Sequence, residues 1–285
     1  MTKKTKSAVA ALTLAAALAP ATAADAATIA GSGSSANTPY IEALFKEYKK
    51  VDKTNTFTFL PNNGNAGAKD VQEGRSAFAI QTRAPLPSDS GLSYSKLFLD
   101  ALTISVHPSN KLSNISTAQT KDIYTAKTTE WSALPDSGLT SPIAAFGRPA
   151  TAGLFTFFTA AVLEGAATAT SVTPVDKDGE VAVAVSKNPA GIGYIGLANS
   201  KPAAGVKRLS VNGTPATPST IKSLKYPLSR YSWIVLPAEN PNKAAVKFAD
   251  WIRSSYEAGQ VLTKLGAVPA FNAKKPAKGK KKSKK

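Results

Sequence analysis

Gly31-Ser32-Gly33-Ser34-Ser35-Ala36-Asn37 runs straight into Thr38-Pro39 and an amphipathic stretch ending at Lys50. The small residues strip bulk from a row of backbone N–H groups. Thr38 as N-cap and Pro39 at the first helical position give the signature of a helix start. Ile41, Leu44, Phe45 and Tyr48 then fall on one helical face, which marks the side turned to a core. Unpaired N–H groups and the helix dipole both favour negative charge, so such a junction can cradle an oxyanion.

The same pattern occurs twice more. Asn62-Asn63-Gly64-Asn65-Ala66-Gly67 leads into Ala68-Lys69-Asp70-Val71, and Gly147-Arg148-Pro149-Ala150-Thr151-Ala152-Gly153 leads into a helical run over Phe155–Leu163. Arg148 stands just before the third helix, and Arg83 follows a strand-like segment. If these elements converge, one anion meets three helix dipoles and one or two guanidinium groups. Arginine grips a tetrahedral oxyanion through two parallel N–H bonds.

Between the junctions, short strand patterns alternate with helical ones. Phe57–Leu60, Ala77–Ile80, Leu102–Val106 and Ile234–Leu236 read as strands. Thr117–Tyr124 reads as a helix, and Lys243–Leu265 as the longest helix, with Val246, Phe248, Ala249 and Ile252 on its apolar stripe. Alternation of this kind predicts α/β architecture with largely parallel sheets. Pro-, Ser- and Gly-rich punctuation at 85–91, 108–110 and 212–219 marks loops, and no repeat of fixed period is present.

The ends carry their own signals. Lys3, Lys4 and Lys6 precede an apolar run over Ala8–Ala19, followed by Ala21-Thr22-Ala23 and Ala24-Asp25-Ala26. This is the pattern of a secretory signal peptide over residues 1–26, and its apolar run is too short for the roughly 20 residues of a membrane span. At the other end eight of the last twelve residues are lysine, so residues 273–285 read as a low-complexity, disordered tail. Subtracting the eight tail lysines and three leader lysines from the net +17 leaves +6 on the remainder. The tail suits attachment to an anionic cell-envelope polymer or lipid surface.

Composition also excludes functions. The chain has no cysteine, which rules out disulfides, cysteine metal sites and a lipid-modified cysteine. His107 is the single histidine, so no histidine-based catalytic pair and no histidine metal cluster can be built. Neither a cofactor nor a metal is expected, and the chain does not read as an enzyme.

Six further segments, in order, carry a resemblance. They are Ile29–Ser35, Ala101–Ser113 (ALTISVHPSNKLS), Ile123-Tyr124 with Glu130–Leu134, Asp178–Val181 with Gly191–Ala198 (GIGYIGLA), Tyr226–Arg230 (YPLSR), and Gly259-Gln260 with Gly266–Pro269. Together the chain resembles PstS-type phosphate-binding proteins, the extracytoplasmic receptors of phosphate ABC transporters. The resemblance implies a type II-like, two-lobed periplasmic-binding-protein fold, with two crossing strands between the lobes and the ligand in the cleft. One lobe would take residues 27–105 and 230–272, the other 106–229. It further implies a monomer that hands phosphate, or a related oxyanion, to an ABC permease in the inner membrane, acting in the periplasm or at the cell surface.

Carried over by position, the resemblance assigns ligand contacts to Ser34, Ser35, Ala36, Asn65, Thr82, Arg83, Arg148, Thr151, Ala152 and Gly153. Two departures stand out. Ala152 and Leu154 replace hydroxyl residues of the family's third loop, leaving backbone N–H groups and Thr151 from a shifted position. Arg83 occupies the place where well-known members put a carboxylate that accepts the proton of hydrogen phosphate. A carboxylate there rejects a fully deprotonated anion, because two acceptors would meet with no proton between them. Its replacement by a cation predicts relaxed discrimination, a different preferred anion, or lost high-affinity binding. The contrasting reading is a secreted or surface-retained interaction protein whose anion site is degenerate and whose working part is the lysine tail.

Overall fold

The computed structural model describes residues 27–271. The expected signal peptide (1–26), the lysine-rich tail (273–285) and residue 272 lie outside the described residues.

The chain opens with β1 (Thr28–Gly33), followed after a short 3-10 turn by α1 (Thr38–Tyr48), then β2 (Thr56–Leu60), α2 (Gly64–Gln72) and β3 (Phe78–Gln81). β1 lies between β2 and β3, parallel to both. Next comes β4 (Leu92–Val106), a strand of 15 residues. The second half of the chain contributes β5 (Asn114–Ile115), α3 (Thr117–Tyr124), β6 (Ala144–Gly147), α4 (Gly153–Ala161), β7 (Thr173–Pro174), α5 (Asp178–Ser186), β8 (Gly191–Gly196), β9 (Lys207–Arg208), β10 (Ser210–Val211) and α6 (Pro218–Lys222). It returns through β11 (Ser229–Pro237), α7 (Lys243–Ser254), α8 (Tyr256–Lys264) and β12 (Val268–Pro269).

Ten strands form one curled sheet, with the path β2-β1-β3-β11-β4-β8-β6-β7 and with β9 and β12 pairing with β4, while β5 and β10 form a separate two-stranded sheet. β4 makes the fold two-lobed. Its first part, Leu92–Ala101, pairs antiparallel with β11, and its last part, Leu102–Val106, pairs antiparallel with β8. β11 begins opposite Ala101, where β4 changes partners, so β4 and β11 are the two strands that cross between the lobes. The outer strands of each lobe are parallel, as alternating elements require, but the crossing strands are antiparallel to their neighbours. The sheet is therefore mixed rather than largely parallel.

Each lobe has its own core. In the first, Tyr40, Ile41, Leu44 and Tyr48 of α1 pack with Phe78, Phe98, Ile234, Phe248 and Leu262. In the second, Tyr124, Trp131, Phe158, Val162, Ile192 and Tyr194 close over one another, with Phe158 and Tyr194 stacked at 4.0 Å. Burial of a large apolar side chain contributes about 1.5–3 kcal/mol, so each set stabilises its own end of the sheet, on either side of the point where β4 changes partners.

Three local expectations are corrected. Asn37, not Thr38, occupies the cap position of α1, and Pro39 is the second helical residue. The Asn37 side chain makes no cap: its Nδ2 donates to Ser232 Oγ on β11 at 2.7 Å, and its Oδ1 has no partner among the described residues. The second junction is shorter than its glycines suggest, since α2 already begins at Gly64. The long C-terminal helix is two helices: Ser255 is extended (φ −89°, ψ 142°) and its Oγ accepts from Ala258 N, capping α8. Among the described residues no helix is long and apolar enough to cross a membrane.

Candidate anion-binding cleft

Residues 34–37 sit where β1 ends. Gly33 takes φ +128°, and a Cβ there would lie 2.3 Å from Ile80 O, so only glycine permits the chain to turn this close to β3. Ser34 N donates to Ile80 O at 2.8 Å, and Gly33 N donates to Asn62 Oδ1 at 3.1 Å. These bonds pin the loop to β3 and to the start of α2. Ser35 and Ala36 are buried, and among the described residues their amides have no acceptor.

The second and third junctions meet at the end of β3. A Cβ on Gly64, the first residue of α2, would lie 2.1 Å from Gln81 Oε1, and one on Gly153, the first residue of α4, would lie 2.2 Å from it. Both helix starts thus close on one carboxamide, which their lack of side chains allows. Thr82 Oγ1, next in the chain, is 3.1 Å from that Gly153 position and is buried with no partner among the described residues. Asn65 ties the two helices together: its Nδ2 donates to Thr156 Oγ1 on α4, while its Oδ1 accepts from Arg83 Nε at 2.7 Å.

The helix caps divide into two groups. α3, α6, α7 and α8, away from the cleft, each begin with a side-chain cap from Ser116, Thr217, Asn242 and Ser255. The 3-10 turn before α1, α1 itself, α2, α4 and α5 have no side-chain cap. Helix starts leave up to four N–H donors unpaired, and a cap usually takes one or two of them. Among the α-helices, the uncapped starts are those that face one another across the two lobes; the 3-10 turns at Trp131–Ala133, Pro135–Ser137 and Pro202–Ala204 also lack side-chain caps.

Arg148 directly follows β6 and is nearly fully buried. Its Nε donates to Val175 O at 2.9 Å, and its Nη2 donates to Asp176 O and to Asn63 Oδ1, each at 2.5 Å. Nη1 lies 3.7 Å from Asp178 Oδ1. Asp178 opens α5 and is fully buried. It accepts from Gly196 N on both oxygens and from Asn199 Nδ2, while its own N–H donates to Ser35 Oγ in the other lobe at 3.2 Å. Burial pushes the Asp178 carboxyl above the ordinary range, against the pull of Arg148. Burial also draws the Arg148 guanidinium down, with Asp178 opposing.

Arg83 reaches the same region but is held as a strut. Nη1 and Nη2 donate to the two oxygens of Asp89 at 2.6 and 3.0 Å, and both side chains are only 6 % exposed. Burial works against its charge, but the bonds to Asp89 outweigh that and keep the guanidinium above its ordinary pKa. Tyr94 Oη and Leu86 N complete the shell of Asp89. The cation that sequence order put in place of a carboxylate is thereby neutralised from within its own lobe.

The sequence-assigned residues divide accordingly. Ser34, Ser35 and Ala36, then Asn65, Thr82 and Gly153, and Arg148 with Ala152 line the facing ends of the uncapped helices. Thr151 is exposed at the rim, 3.5 Å from Asn63 Nδ2. Sequence reading missed three polar residues. Asn63 bridges to Arg148, and Asp178 balances it. Arg230 is buried on β11, donates through Nη2 to Asp100 at 2.9 Å, and keeps Nε and Nη1 without partners among the described residues. Asp178 and Arg230 both lie in segments that carry the family resemblance, which was the available signal.

Comparison with known proteins agrees with this fold. The chain is 28% identical over 264 residues to Protein SphX of Synechococcus elongatus, covering 85% of this chain and 77% of that protein. It is 26% identical to the phosphate-binding protein PstS of Borreliella burgdorferi, covering 78% and 83% of the two chains. A Clostridium perfringens structure described as a phosphate ABC transporter substrate-binding protein with bound phosphate superposes with a TM-score of 0.79, at 25% identity, over 86% of this chain and all of that one. A Vibrio cholerae phosphate transport receptor shares the fold, with a TM-score of 0.68 at 21% identity over 84% and 99% of the two chains. Residues 18–255 match the PBP superfamily domain, and the chain belongs to that superfamily.

Proposed function

We propose that this protein is an extracytoplasmic solute-binding protein that captures phosphate, or a related tetrahedral oxyanion, between its lobes and hands it to an ABC permease. The observation that carries this reading is the division of helix caps. Among the α-helices, the starts that face the cleft lack side-chain caps of their own, Arg148 stands among them, and the remaining α-helices begin with a cap from their own side chains. The phosphate-binding relatives and the phosphate-bound structure supply the ligand class. Closure would bring donors from both lobes onto one anion, so the anion stabilises the closed state.

The lobe bounds we propose are residues 27–105 with 230–272, and 106–229. The change of partner along β4 at Ala101/Leu102 supports them to within a few residues. The ligand residues we propose are Ser34, Ser35, Ala36, Asn65, Thr82, Arg148, Ala152 and Gly153. Arg83 acts through Asn65, and Thr151 acts at the rim. The monomeric state and attachment of the lysine tail to an anionic envelope surface belong to the same proposal, and deletion of residues 273–285 should release the protein from such a surface.

Titration calorimetry with phosphate and with sulfate tests the function. Binding of phosphate that disappears in Arg148→Met supports it, and no heat with either anion refutes it. Since Arg83 and Asp89 neutralise each other, no carboxylate at that position sorts the anion by its proton, and the two anions should bind comparably. A phosphate preference above about a hundredfold would remove the relaxed discrimination.

A further inference from the structure

Arg148 is already gripped from the opposite lobe. Three of its five N–H donors, those on Nε and Nη2, go to Val175 O, Asp176 O and Asn63 Oδ1. Only Nη1 is left, and it faces Asp178. A fork-on-fork grip on an oxyanion needs two adjacent guanidinium donors. The two backbone carbonyls belong to Arg148's own lobe, whereas Asn63 comes from the start of α2, 85 residues away. Asn63 is thus the acceptor that can leave when the lobes part.

Asn63 also sits in a conformation that its residue type resists. Its φ of 77° and ψ of 153° lie in a region occupied essentially by glycine alone, and its side chain does not cap the helix it precedes. A strained backbone persists only where the surroundings hold it. Here they are Arg148 Nη2 on Oδ1 and, more distantly, Thr151 Oγ1 near Nδ2.

We propose that Asn63 is an internal stand-in for the anion, a latch that occupies Arg148 when the cleft is closed without ligand and so sets the affinity. The inference rests on Arg148 being an anion ligand. A closed, latched state offers no bidentate grip, and apparent affinity falls by the fraction of protein held in it.

Asn63→Gly removes the side chain and suits the backbone angle, so the variant folds. In the full chain its phosphate dissociation constant, by titration calorimetry, should be about tenfold lower than that of the unmutated protein. A second readout needs no ligand. The chain lacks cysteine, so spin labels can be placed through Lys69→Cys on α2 and Ala160→Cys on α4, both exposed. In the unliganded protein Asn63→Gly should lengthen and broaden the distance between them. An unchanged or weaker phosphate affinity in Asn63→Gly overturns the latch, as does an unchanged distance distribution. If neither protein takes up phosphate or sulfate, the functional reading fails and the affinity role of Asn63 with it. The label distances still decide whether Asn63 holds the lobes together.

Discussion

Replacing Arg148 by methionine removes the guanidinium 3.7 Å from the buried carboxylate of Asp178. At an effective dielectric constant of about 20, that separation corresponds to an attraction of about 4.5 kcal/mol. Asp178 keeps its bonds from Gly196 N and Asn199 Nδ2, so part of its charge remains compensated. Orphaning one partner of a buried pair costs about 3–5 kcal/mol, and the two figures agree. For a chain of this size that lowers Tm by roughly 10 °C. The pH dependence has a definite sign. Burial already holds the Asp178 carboxyl above its ordinary range and Arg148 pulls it down, so the variant raises it further. A carboxyl whose pKa is raised by folding binds its proton more readily in the folded state, and stability then rises as pH falls toward the unfolded value near 4. The deficit of Arg148→Met should therefore shrink between pH 7 and pH 5. Adding Asp178→Asn removes the orphan charge and should restore about 2 kcal/mol, without restoring phosphate binding. Thermal unfolding at both pH values, with calorimetry on both variants, reads these effects. A double variant as unstable as the single one, or a deficit that ignores pH, refutes the charge-balancing role. Phosphate binding that survives in either variant refutes Arg148 as a ligand.

Asp89→Asn should cost about 3 kcal/mol at pH 7 by stranding Arg83. Burial raises the Asp89 carboxyl, but Arg83, Leu86 N and Tyr94 outweigh it and hold it below the ordinary range. Its contribution is therefore complete above about pH 4 and lost as pH falls below that; urea melts at pH 7, 5 and 3 should show the gap between variant and parent closing, and a constant gap refutes the pairing. Gly67→Ala places a Cβ 2.5 Å from Gly33 Cα, where the obstacle is backbone fixed at positive φ. It should cost up to about 3 kcal/mol in a denaturant melt, and it should weaken phosphate binding, because α2 carries Asn63 and Asn65. A neutral result would mean that α2 is free to slide on β1.

Much of this was legible in the chain. α3 spans Thr117–Tyr124 as its pattern dictates, and β2 and β3 lie within a residue of the expected segments. The three glycine-rich junctions and Arg148 could be found because small residues and helix signals act over three or four neighbours. One error involves a partner far along the chain and the other a local competition. Asn37 leaves α1 without a side-chain cap, and its amide nitrogen is held instead by Ser232, 195 residues on. Lys243–Leu265 breaks at Ser255 because a serine cap competes with continuing the helix.

Sequence alone thus determined the α/β alternation, the small-residue loops that lead into helices, and the place of Arg148 just before α4. Tertiary structure decided what each charge faces. Arg83 has its carboxylate six residues away, but only the fold of that loop makes Asp89 its partner. Asp178 reaches Ser35 across 143 residues, and Asn63 reaches Arg148 across 85. Propensity acts through the next turn of chain. The fate of a buried charge depends on whichever groups the packed lobes bring within a few ångströms, and no local pattern encodes that distance.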